Sequence, residues 1–141
     1  MLPERLKVLL GESMYKRKDL FEVGVAIKDL EVSPSKTFLE FYERYEGPFW
    51  EGNTGFELLD IVEDEERNIG VYTRIARKEH GFKNSLLVLS EMTALAVLVL
   101  DTLNDKVYKV NFEGGQRKLL QGKLEPDWPS FYDFLFDYFD C

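Results

Sequence analysis

The stretch NSLLVLSEMTALAVLVLDTLNDKVYKVNF, residues 84–112, decides the fold class. Its apolar run from Leu86 to Leu100 spans 15 residues and carries Ser90, Glu91 and Thr93 in the middle, whereas a membrane helix needs about 20 apolar residues. It therefore reads as two buried strands, Leu86–Leu89 and Ala94–Leu100, joined by a turn. Lys106–Phe112 reads as a third strand, with Leu103-Asn104-Asp105 as the hairpin loop and Gly114-Gly115 as the next turn. Arg117–Leu120 is expected to add an edge strand.

Upstream of this sheet the pattern turns helical. Leu2, Leu6, Leu9 and Leu10 recur at helical spacing behind Pro3 and before Gly11, and Val23, Ile27 and Leu30 mark a weaker helix interrupted by Gly24. Ser33 as cap and Pro34 as first residue introduce a stronger one, with Phe38, Phe41, Tyr42 and Tyr45 at i, i+3, i+4 and i+7 and Gly47-Pro48 as its stop. Phe56–Val62 reads as a strand between the Gly52-Asn53-Thr54-Gly55 turn and an acidic cluster. Asn68 is expected to cap a helix with Ile69, Tyr72 and Ala76 on its apolar side and His80-Gly81 at its end. Downstream, Phe131, Phe134, Leu135 and Tyr138 predict a terminal helix beginning at Pro129 or Ser130, with Asp133, Asp137 and Asp140 on the opposite side. The expected fold is a single α+β domain over residues 1–141, with a central, mainly antiparallel sheet of about four to six strands flanked by helices.

Composition bounds the function. The chain has 141 residues and a formal net charge of −8, so its own field opposes approach to nucleic acid or an anionic membrane and favours cationic partners. Cys141 is the single cysteine and no basic-then-apolar leader opens the chain, so a cytoplasmic protein is expected. His80 is the single histidine, too few for a Cys/His zinc site and already explained as a helix end. Gly52-x-x-Gly55 lacks a phosphate-binding lysine and precedes a strand, which argues against a nucleotide site. Glu57 and Asp60 fall on opposite faces of a strand, and the carboxylates here read as solvated surface rather than a cation site or acid–base pair. No cofactor, no metal and no enzymatic activity are expected.

Charge is segregated instead. Residues 46–70 hold eight acidic side chains and one basic one, including Glu51 and the run Glu63-Asp64-Glu65-Glu66, while residues 124–141 hold five acidic and no basic ones. Eleven Phe, seven Tyr and two Trp are too many for all to be core. Phe49-Trp50-Glu51 and Asp127-Trp128-Pro129 place aromatics beside carboxylates, the composition of an anchor for a cationic partner. The candidate contact residues are therefore Phe49, Trp50, Glu51, Glu63, Asp64, Glu65, Glu66, Asp127, Trp128, Asp133 and Asp137.

The order of motifs over residues of about 20 to 139 resembles the SUKH superfamily, the cell-wall-assembly-regulator and immunity-protein group. The residues carrying the resemblance are Pro34, Phe38, Leu39, Tyr42 and Tyr45-Glu46-Gly47; Gly55-Phe56-Glu57-Leu58-Leu59-Asp60-Ile61; Leu86–Leu89; Val107-Tyr108; and Ser130-Phe131, Phe134-Leu135 and Tyr138-Phe139. It departs from the family in having Glu46 where an asparagine is common and Ser90-Glu91-Met92-Thr93 where a glycine-rich stretch is usual. The resemblance implies an α+β domain without catalytic residues. It also implies an immunity protein that binds and neutralises a cognate basic toxin, often a nuclease, or alternatively an intracellular regulatory adaptor. Either is expected as a monomer or weak homodimer.

Overall fold

A computed structural model describes residues 2–11, 15–50, 55–92 and 96–141. Glu51 and the turn residues 52–54 lie outside them, as does the expected start of a strand at Ala94. Six helices and five strands are described, in an α+β arrangement. Their order is α1 (Leu6–Leu10), α2 (Leu20–Asp29), α3 (Lys36–Arg44), β1 (Phe49–Trp50), β2 (Glu57–Leu58), α4 (Ile69–Glu79), β3 (Leu86–Val88), β4 (Ala96–Asp101), β5 (Lys106–Asn111), α5 (Gly115–Leu120) and α6 (Phe131–Tyr138).

The 84–112 stretch forms the antiparallel sheet β3-β4-β5, in which Val88, Val99 and Tyr108 stand opposite one another and Leu87, Leu100 and Val107 form the next row. Each row points to a different layer. Leu87, Leu98, Leu100 and Val107 join the large core with Phe38, Phe41 and Tyr42 of α3 and Phe131, Phe134 and Tyr138 of α6. Val88, Val97, Val99 and Tyr108 join a second cluster with Ala76 of α4 and Leu119 of α5. Burial on both faces explains why the strands read as continuous apolar runs without alternation.

The strands do not form one central sheet of four to six; they fall into a two-stranded sheet, β1-β2, and the three-stranded one. The β3–β4 ladder ends at Ser90. Its Oγ accepts the Leu98 N–H at 2.8 Å, the place of a ladder carbonyl, so a side chain ends the β3–β4 pairing. A single bridge, Leu58 to Ser90, and a Leu59 N–H to Leu89 carbonyl bond then link the two sheets.

Local chemistry sets the helix ends. Asn68 Oδ1 accepts the Val71 N–H at 2.9 Å, and Ser130 accepts from Asp133 N–H at 3.1 Å, both as expected of N-caps. The cap of α3 is Ser35, accepting from Phe38 N–H, so this helix begins two residues later than the Ser33-Pro34 pair suggests. Residues 117–120 belong to helix α5, not to an edge strand: Gly114, at φ +117°, turns the chain directly into a helical turn, and Asn111 Oδ1 accepts the Gly115 N–H.

Candidate protein interface

The acidic turn after β2 is organised by a buried ion pair. Asp60, fully buried within the apolar segment Leu58–Ile61, receives Arg17 through Nη1 at 2.9 Å and Nη2 at 2.6 Å. It also accepts the backbone N–H groups of Gly47, Val62 and Glu63. Arg17 completes its own set on the carbonyls of Tyr42 and Tyr45, and Glu46 lies 3.7 Å away. A buried charge pair satisfied on both sides in this way is a structural staple. Asp60 is thus neither solvated nor on a strand face, contrary to the surface expectation.

With its backbone donors drawn inward, the turn leaves Glu63, Asp64, Glu65 and Glu66 exposed. The same turn is fixed at its far end by Asn68, whose Nδ2 donates to the carbonyls of Val62 and Asp64. Arg67 does not neutralise the run as a whole: its Nη2 bonds Glu57 at 3.0 Å and Glu91 at 2.9 Å, and within the run it reaches only Asp64, at 3.9 Å. Partial burial, then the charges of Glu46, Asp60 and Glu22, push the Glu63 carboxyl above its ordinary pKa. Desolvation is the larger cause and the neighbouring carboxylates the smaller one, and a cation placed there would relieve the second.

The remaining candidate residues separate into two groups. Trp50 stays 61% exposed, whereas Phe49, 2% exposed, stacks on Tyr15 and packs against Phe41 and Phe139. Trp128 is also spent on the core: its ring meets Phe134 edge-on at 5.0 Å, Lys109 covers it, and Nε1 donates to Asp137 at 3.0 Å. Asp127 accepts the Lys109 N–H at 2.6 Å, and Asp133 accepts from the Ser130 hydroxyl. The second acidic block therefore ties the chain to itself, while the 63–66 turn projects outward.

The α2 helix offers a surface that its Val23, Ile27 and Leu30 stripe conceals. Leu20 and Phe21 at its start and Val25 in its middle are 60%, 78% and 42% exposed. At 100° per residue, Phe21 and Val25 project away from Val23 and Leu30, and this surplus of apolar residues on the outer face is the sequence signal for it.

Among the described residues, none of the His, Cys, Asp and Glu side chains forms a group of three placed to hold a metal ion. His80 ends α4 with its ring beside Phe82 and Phe112, and burial pushes the Cys141 thiol up, away from a reactive thiolate. No helix among these residues is long and apolar enough to cross a membrane. Compared with known proteins, the chain matches no family model and none of the curated proteins.

Proposed function

We propose that this chain is an immunity-type protein that binds and neutralises a basic toxin domain, of the kind the SUKH-like order of its motifs suggests. The observation that carries the reading is the 60–68 turn, where Asp60 and Asn68 take up the backbone and leave Glu63–Glu66 as a braced acidic projection beside Glu46. Carboxylates held this way would occupy a phosphate-binding cleft with negative charge, repelling its substrate and steering association. Trp50 supplies an exposed aromatic on the edge of β1–β2. In this division of labour charge sets the on-rate and apolar contact the off-rate.

The test is capture from source-cell lysate with the tagged chain, washed at low and at high salt. A basic protein encoded by the neighbouring gene, retained by wild type and lost when Glu63, Glu65 and Glu66 are replaced by Lys, supports the proposal. Recovery of an unrelated enzyme or scaffold at both salts points to an adaptor and overturns it.

A further inference from the structure

A groove of about 480 Å³ runs between α2 and the start of α4. Val25 and Ala26 line one wall and Ile61 and Val62 the other, with Phe21 at its mouth. Its volume lies within the range of sites that take a substantial ligand, about 300–1,000 Å³. Of the charged residues lining it, Asp19, Glu22 and Asp29 are acidic and Arg74 is the one cation. Arg74 folds back along its own helix over Gly70, where an added Cβ would stand 3.2 Å from its Nη1.

We propose that this groove seats a large apolar side chain carried between Lys or Arg residues on a cationic segment of the partner. The proposal rests on the reading above that the partner is basic, and adds how it is gripped. Three observations support it. The rim is acidic by three groups to one, complementary to a cationic segment. The groove is continuous with the acidic turn, because Val62 and Asn68 line it and directly flank residues 63–67, and Glu22 on its rim is close enough to repel charge on Glu63. Finally, Phe21 and Val25 leave in water an apolar surface whose burial is worth about 25 cal/mol per Å². A charged rim around a desolvated apolar centre is the usual anatomy of a docking site.

The probe is an amphipathic helical peptide of Lys and Leu, titrated into the isotope-labelled chain and followed by amide chemical shifts. Two control peptides carry Glu in place of Lys or Ser in place of Leu. The Lys/Leu peptide is expected to shift amides of residues 19–29, 61–62 and 68–74, and the controls to leave them unmoved. Glu22→Lys and Val25→Lys, both surface changes that keep the wild-type melting temperature, are each expected to weaken binding about tenfold. Shifts confined to other regions, equal binding of the Glu peptide, or concentration-dependent shifts of the same amides without peptide, which mark a second copy as occupant, overturn the proposal. In the lysate experiment, a partner lost on reversing Glu63, Glu65 and Glu66 but kept by Val25→Lys sinks the groove and spares the immunity reading. Peptide binding at the groove with no basic partner captured does the reverse.

Discussion

Replacing Asp60 with alanine removes the acceptor of five hydrogen bonds: two from Arg17 and one each from the backbone of Gly47, Val62 and Glu63. The guanidinium, whose side chain is 2% exposed, is then left with carbonyl partners and the more distant Glu46. Breaking a buried pair by removing one member costs about 3–5 kcal/mol, chiefly because the other charge stays buried. The three freed N–H groups, held in part-buried bonds, lose their acceptor as well. For a chain of 141 residues, an unfolding entropy of about 2.1 cal/mol/K per residue converts ~4 kcal/mol into a fall of about 13 °C in melting temperature. Thermal melts by circular dichroism, with urea titration as a second measure, read this directly. The double variant Arg17→Met/Asp60→Leu, which leaves no charge buried, should melt above Asp60→Ala. A loss below about 3 °C for Asp60→Ala, or a double variant weaker than both single ones, would refute the staple.

Other predictions concern single side chains. Tyr138→Phe removes a hydroxyl that accepts Leu58 N–H at 3.1 Å and lies within 3.0 Å of the Phe49 and Phe56 carbonyls, so a loss of about 1–3 kcal/mol in urea titration is expected. Trp50→Phe should leave the weakly acrylamide-quenched emission of Trp128, and Trp128→Phe the strongly quenched emission of Trp50; the opposite pattern would exchange their places. The Glu63 carboxyl has a raised folded-state pKa, so its favourable contribution is present below the ordinary carboxylate value and is lost as pH rises through the folded one. Glu63→Gln should accordingly melt slightly higher than wild type at neutral pH, and the difference should vanish below pH of about 4. Burial and the neighbouring Asp60 likewise raise the Tyr42 hydroxyl, so stability should fall as pH climbs past about 10, where the unfolded tyrosine ionises; Tyr42→Phe should flatten that loss in alkaline melts.

Elements with strong local periodicity were legible in the sequence. Helices α3 and α6 bury the very aromatics their 3.6-residue spacing marks, and the β4–β5 hairpin closes through Asp101 and Asn104 side chains that accept from Leu103 and Lys106 N–H. Non-local features were not. Arg17 and Asp60 are 43 residues apart and share no pattern, although an acid inside the apolar run Leu58-Leu59-Asp60-Ile61 is itself a sign of a buried partner. The end of the β3–β4 ladder turns on one serine hydroxyl replacing a backbone acceptor, and α5 on a left-handed glycine. Neither changes hydropathy. At the candidate interface, Glu63–Glu66 were visible as charge, whereas the separation of Trp50 from Trp128 depended on α6 supplying Phe134 and Asp137 beside the Trp128 ring while Trp50 stays 61% exposed.

Neutralisation of a toxin is tested most directly by growth. The protein encoded beside this chain is expressed under an inducible promoter, alone and together with wild-type chain or the Glu63→Lys/Glu65→Lys/Glu66→Lys variant. The account predicts that the neighbour arrests growth, that wild-type chain restores it, and that the variant, folded and equally abundant, does not. A harmless neighbour, or full rescue by the charge-reversed variant, would contradict it.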